Sequence, residues 1–228
     1  MRRIYLTWIV LIVVIWGITS SCLAVEYPII GIGVCGGWAQ NELTRGGSAK
    51  IFLRYSLEAY IPGFNVEIGY GASFYSPLSD SVIFQPDPVV ERRKITTHIF
   101  DRYPIIAGTF QLRPFGENTF IFLGGGAQLH WLRSERKSTD RYWDEIAQKY
   151  QELEITKRPL LDAMRFGYHF IAGVRFGLGG FGSLDLEVRK IFLNVNRDDW
   201  DEPAASRRWA DKNWGSLNVN LGITVYIF

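Results

Sequence analysis

Residues 49–75, AKIFLRYSLEAYIPGFNVEIGYGASFY, decide the fold. Ala49, Ile51, Leu53, Tyr55, Leu57, Ala59 and Ile61 alternate with Lys50, Phe52, Arg54, Ser56, Glu58 and Tyr60. After Pro62-Gly63 the pattern resumes, with Phe64, Val66, Ile68, Tyr70, Ala72 and Phe74 set against Asn65, Glu67, Gly69, Gly71, Ser73 and Tyr75. Neighbouring side chains of a strand point to opposite faces, so a period of two predicts two strands joined by a short turn. One face is apolar along its whole length, while the other carries whole charges such as Arg54 and Glu67.

Further along the chain, Met164, Phe166, Tyr168, Phe170, Ala172, Val174 and Phe176 alternate with Arg165, Gly167, His169, Ile171, Gly173, Arg175 and Gly177. Leu217, Val219, Leu221, Ile223 and Val225 do the same against Ser216, Asn218, Asn220, Gly222 and Thr224. Segments around residues 31–36, 102–110, 120–127 and 184–193 bring the total to eight. Between the second and third lie Ile61-Pro62-Gly63, between the fourth and fifth Pro114 to Asn118, and between the sixth and seventh Gly179 to Gly182. The other four connections run roughly 8, 18, 29 and 17 residues and hold most of the charge. A soluble sandwich would bury the apolar face and has no reason to sort its loops by length. A membrane barrel turns the apolar face to lipid, keeps charges in its lumen, and has short turns at one end and longer loops at the other. The expected fold is therefore all-β: an eight-stranded antiparallel up-and-down transmembrane β-barrel with short periplasmic turns and longer extracellular loops. Trp38, Trp131 and Trp214 fall where a strand meets a long loop, the position of an interfacial aromatic girdle. Within the longest loop, around residues 134–162, Ser138-Thr139-Asp140 could cap a short helix with Trp143, Ile146, Tyr150 and Leu153 on one face.

Composition agrees with a single folded domain. With 47% hydrophobic and 21% charged residues and two Cys, the chain is neither disordered nor a disulfide scaffold. Met1-Arg2-Arg3, an apolar run over residues 4–18 and Ser20-Ser21-Cys22-Leu23-Ala24 read as a signal peptide, residues 1–24, ahead of a barrel domain over 25–228. Arg2 and Arg3 account for the whole formal charge of +2, so a nucleic-acid partner is not indicated. Cys35 would be alone after cleavage and is read as a packing residue.

The stretch Gly31-Ile32-Gly33-Val34-Cys35-Gly36 matches a dinucleotide fingerprint literally, but no strand precedes it and no helix follows. Inward glycines here, at Gly69 and Gly71 and at Gly124-Gly125-Gly126, are read instead as space for bulky lumen side chains. His98, His130 and His169 lie on three segments without metal-ligand spacing, so neither a metal nor another cofactor is expected. The inward charges Lys50, Arg54, Glu58, Glu67, Arg165, Arg175, Asp185, Glu187 and Arg189 have both signs, which predicts a paired lumen network. Across the tight turn Arg175 and Asp185 should be near neighbours.

The ending Tyr226-Ile227-Phe228 resembles the closing strand of outer-membrane barrels, which in those families is read by the barrel assembly machinery. Strict alternation from Leu217 would put Phe228 on the inward face, so either a bulge shifts the phase near Tyr226 or the strand frays there. The segments Arg102 to Phe110, Phe120 to Ala127 and Leu184 to Leu193 are similar to strands of the outer-membrane protein W and general outer membrane protein beta-barrel families. That resemblance implies location in the bacterial cell outer membrane, contact with outer-membrane lipid and lipopolysaccharide, no enzymatic activity and a role in uptake of small hydrophobic molecules. A second role is envelope maintenance or adhesion through the loops. The third is a lipid-modifying enzyme, but the His-x-Ser feature of the eight-stranded lipid A deacylases is absent, since Phe100, Leu132 and Ile171 stand two residues after the histidines.

Overall fold

The computed structural model describes residues 30–58, 60–83, 90–114, 118–196, 199 and 214–227. The expected signal peptide with its cleavage site, and the terminal Phe228, lie outside the described residues. Among the described residues nine strands appear in chain order: β1 (Ile30–Gln40), β2 (Arg45–Ser56), β3 (Phe64–Tyr75), β4 (Leu78–Ile83), β5 (Val90–Leu112), β6 (Thr119–Asp144), β7 (Lys149–Gly177), β8 (Gly182–Phe192) and β9 (Leu217–Tyr226). All pairings between them are antiparallel.

Eight of the nine close a ring. β3 pairs with β5 over Phe64 to Phe74, and β9 pairs with β1 over Gly31 to Gln40, so no barrel strand is left with an open edge at the level of the wall. The register reproduces the alternation: Ile51, Leu53, Ile68, Phe170 and Leu221 are exposed on the outside, while Lys50, Arg54, Glu67, Arg175 and Asn220 are buried within. Lumen packing explains some of the inward glycines, while at Gly69, Gly124, Gly125 and Gly126 the closest approach is to backbone oxygens of neighbouring strands. A Cβ on Gly33 would lie 2.2 Å from the Phe52 ring, one on Gly71 2.3 Å from the Tyr103 ring, and one on Gly173 2.4 Å from the Phe122 ring. Only a hydrogen leaves room for these rings in so narrow an interior.

Three expectations need correcting. First, among the described residues two of the four upper connections, those after β3 and between β6 and β7, are largely sheet and not loop. β5, β6 and β7 run 23, 26 and 29 residues, well past the barrel wall, and the added strand β4 pairs with β5 from Leu78↔Thr97 to Ile83↔Arg92. Second, no helix forms around residues 134–162. Asp140 faces Leu153 and Trp143 faces Tyr150 across a hairpin, with the two rings edge to face at 4.9 Å. Trp143 and Tyr150, spaced as if along a helix, thus meet across two strands, while Ile146 lies in the turn and Leu153 stands opposite Asp140. The turn is set by Asp144, whose Oδ1 accepts the N–H groups of Ile146 and Ala147 at 3.0 Å, and by Gln148 at φ 50°. Third, β2 ends at Ser56, and Leu57 begins a tight turn in which the N–H groups of Tyr60 and Ile61 both donate to its carbonyl at 2.8 Å. Gly63 leaves that turn at φ 72°, a conformation open to glycine.

Candidate functional site

The lumen holds a compact ion-pair network supplied by β2, β3, β7, β8 and β9. Lys50 Nζ donates to Glu67 Oε1 at 2.5 Å and Glu187 Oε2 at 3.0 Å. Arg54 Nη2 reaches Asp185 Oδ2 at 2.6 Å and Glu67 Oε2 at 3.3 Å, and its Nη1 donates to the Thr224 hydroxyl at 2.9 Å. Arg175 Nε donates to Asp185 Oδ1 at 2.9 Å, beside the Ser183 hydroxyl at 3.0 Å. Arg189 Nη2 bonds Glu187 Oε1 at 3.0 Å and reaches Glu67 Oε1 at 3.5 Å, and Asn220 Nδ2 donates to the same Glu187 oxygen at 3.3 Å. Both oxygens of all three carboxylates are therefore occupied. The cations Lys50, Arg54, Arg175 and Arg189 outnumber the carboxylates Glu67, Asp185 and Glu187, and the surplus shows as buried donors without an acceptor at Arg175 Nη2 and Arg189 Nε.

Arg175 and Asp185 are cross-strand partners, as the tight turn requires. Two residues expected in this network stand apart from it. Glu58 lies in the lower turn, where its Oε1 accepts from Arg113 Nη2 at 2.7 Å. Half-burial there pushes its carboxyl above the usual range, against the lowering pull of Arg113. Arg165 sits high in the lumen and binds Asp199 of the last upper connection, with Nε 2.9 Å from Oδ2. Saturated carboxylates paired with guanidinium groups make poor acids or bases, and the bonds they form cross-link strands across the lumen.

Above the network lies a second layer. Ala39, Tyr75, Ile99, Leu132, Leu161, Ile191, Leu193, Val195 and Trp214 form a buried apolar cluster across the upper mouth. Trp214, expected in the outer girdle, is 3% exposed and belongs to this inner cluster, whereas Trp38 and Trp131 are 40% and 42% exposed on the outside. Parity carries the signal: Trp214 shares it with the inward Ser216, Asn218 and Asn220, while Trp38 shares it with the outward Ile32 and Val34. Between the layers, His130 Nδ1 stands 2.8 Å from Asp101 Oδ2, and His130 Nε2 stands 3.0 Å from Gln128 Oε1. His169 is also buried in the lumen, whereas His98 lies parallel to Phe100 with ring centroids 6.4 Å apart. Cys35 is an unpaired thiol on the inward face of β1. The β9 register holds through Tyr226 without a phase shift.

No family model and no curated protein sequence matches the chain. Among solved structures, Neisserial surface protein A is similar at 12% identity and a TM-score of 0.51, with 87% of this chain and 96% of that one covered. The attachment invasion locus protein of Yersinia pestis aligns over 86% of this chain and 95% of its own at 13% identity and a TM-score of 0.38. For the N-terminal β-barrel domain of Pseudomonas aeruginosa OprF the values are 86%, 96%, 9% and 0.41. The first of these likenesses agrees with the eight-stranded barrel read from the strand pairings.

Proposed function

We propose that this eight-stranded barrel spans the bacterial outer membrane, catalyses nothing, conducts little or nothing, and acts through the sheet that rises from its upper rim. The carrying observation is the pairing of a doubly filled interior, polar network below and apolar cluster above, with β5, β6 and β7 continuing beyond the wall. A face of exposed Ile51, Leu53, Ile68, Phe166, Phe170 and Leu221 on a closed ring is stable only against lipid, and a closed ring has every wall hydrogen bond satisfied there. Its partners are then outer-membrane lipid and lipopolysaccharide around the wall, the assembly machinery reading the closing strand β9, and a surface met by the projecting sheet. The tip offers Trp143, Tyr150 and Leu153, each at least 40% exposed, and Ile146 at 98%. Adhesion or envelope contact is thus favoured over uptake of small hydrophobic molecules, which would have to displace both layers of the plug.

The test is to replace residues 138–156 by a two-residue turn and compare both forms in cells and in planar bilayers. Both should migrate differently before and after boiling, as closed barrels do, and both should give no stable single-channel current. Only the full-length form should increase attachment of cells to a surface. Large wild-type currents, or attachment unchanged by the trimming, would overturn the reading.

A further inference from the structure

On the outer wall, where the barrel passes into the projecting sheet, an open groove of about 450 Å3 has a lining of mixed chemistry. Its charged members climb in order. Arg102 lies opposite Trp131, Phe100 opposite Arg133, and His98 opposite Glu135, each pair one outward position further from the barrel wall. Asp162 is the neighbour of Arg133 on the other side. Met164, 49% exposed, stands level with Trp131, and directly below the outward face is apolar, with Ile106 and Phe166 at 52% and 69% exposed. From the belt upward, a molecule would meet alkyl surface, then an indole and a guanidinium, then a second guanidinium beside a carboxylate, then another carboxylate. Arg102 and Asp162 are exposed and have no ion-pair partner among the described residues. Arg133 Nη2 bonds Glu135 Oε1 at 2.9 Å, with the Arg133 side chain 61% exposed and that of Glu135 18% exposed, so the guanidinium end of the pair is open to water and its contribution is discounted accordingly.

We propose that this groove seats the headgroup of a membrane lipid bearing a phosphoethanolamine, with its phosphate on Arg102 and Arg133 and its ammonium on Asp162 and Glu135. The proposal rests on the membrane-spanning reading above. Charge complementarity selects the occupant. Two guanidinium groups and two carboxylates sum to neutrality, so a plain anion would gain from the first pair and be repelled by the second. A zwitterion whose phosphate lies nearer its acyl chains than its ammonium matches the observed order. Guanidinium binds phosphate oxygens in a planar fork, and a primary ammonium offers three donors to the carboxylates, which a quaternary ammonium lacks. Trp131 at 42% exposed provides the amphipathic ring that settles at this depth.

The full-length chain would be reconstituted in phosphatidylcholine vesicles, floated, and checked for a boiling-dependent gel shift. It would then be transferred to detergent and exposed to equal amounts of phosphatidylethanolamine, phosphatidylcholine and phosphatidylglycerol with identical chains, retained lipid being counted by native mass spectrometry. Phosphatidylethanolamine should be retained about five- to tenfold over either competitor, the value of one additional charge-assisted hydrogen bond. Arg102→Gln should lower retention of all three phospholipids. The double variant Glu135→Gln with Asp162→Asn should remove the preference for phosphatidylethanolamine over phosphatidylcholine while phospholipid is still held. Equal retention of the three lipids by a floated, heat-modifiable barrel would overturn this site alone, and phosphatidylglycerol bound as well as phosphatidylethanolamine would make it a plain anion site. A chain that does not float would overturn both this inference and the membrane reading.

Discussion

The cation surplus in the lumen makes the network respond unequally to the loss of an acid and the loss of a base. Glu67 accepts from Lys50 at 2.5 Å, Arg54 at 3.3 Å and Arg189 at 3.5 Å, and its side chain is 4% exposed. Glu67→Gln keeps the volume but leaves four cations sharing two carboxylates away from water. Breaking a buried pair by removing one partner costs about 3–5 kcal/mol, and three partners lose an acceptor here. Lys50→Met leaves three cations with three carboxylates. Glu67 still has Arg54 and Arg189, and Glu187 still has Arg189 and Asn220. The methionine fills the volume of the lysine stem, so the expected cost is about 1.5 kcal/mol or less. Combining the two changes should cost less than their sum, because the cation most in need of Glu67 has gone, with a coupling of about 1–3 kcal/mol. The assay is urea unfolding of the micelle-folded barrel, followed by tryptophan fluorescence and by the fraction that still shifts on boiling. If Lys50→Met proves as damaging as Glu67→Gln, or the two add without coupling, then the surplus charge is neutralised by something outside this cluster and the argument fails.

Two further outcomes follow from the wall and from the lower turn. Ile68→Arg and Phe170→Arg place a charge on the outward face near mid-height of the wall, where the native residues are 58% and 63% exposed. Each should cost about 2–4 kcal/mol in bilayer refolding titrations, and neutral effects at both would mean that this face does not meet lipid. Glu58 has a folded carboxyl raised above its unfolded value, so it binds protons more tightly in the barrel. The stability this gives is present below the unfolded value and is lost as pH rises through the folded one. Glu58→Gln should therefore flatten the stability profile between these limits, and an unchanged slope in pH-dependent urea titrations would rule Glu58 out as its source.

How much of this was legible in the sequence depends on what period two can carry. It reports which face a residue occupies, and the faces of β2, β3, β7 and β9 follow it through Lys50, Glu67, Arg175 and Asn220. It says nothing about where a strand stops. Dense charge over residues 134–162 points to loop, but on a sheet that extends past the barrel wall both faces can be wet, and Arg141 or Glu152 fits either. The helix expectation failed for a related reason: Trp143 and Tyr150, seven apart, satisfy a helical face and a four-residue hairpin turn equally well. β4 escaped notice because six residues, LSDSVI, give too few repeats to distinguish alternation from chance. The apolar cap was hidden differently. Leu193 and Val195 lie past the end of β8, where alternation no longer applies, and only their packing with Leu132 and Leu161 shows that they turn inward, whereas Trp214 could have been read from its parity with Ser216 and Asn218.

The projecting sheet raises a question that the barrel does not, since it has two free edges. β8 leaves β7 at Tyr168↔Phe192, so residues 149–167 of β7 carry unpaired backbone on one side among the described residues, and β4 does so on the other. Such edges recruit further strands unless they are blunted. Here β4 is only six residues long. Pro159 lies within β7, and the β6–β7 ladder shifts register between Ser134 and Glu135 and again between Ser138 and Thr139. A proline removes a donor from the edge, and a bulge twists the strand out of the plane a partner would need. The sheet is therefore guarded against addition of strands along its sides, while Trp143, Tyr150 and Leu153 remain uncovered near its tip. Recognition by this part of the molecule should use side chains on its faces and tip, and a partner's affinity should depend on those rings far more than on backbone hydrogen bonding along β4 or β7.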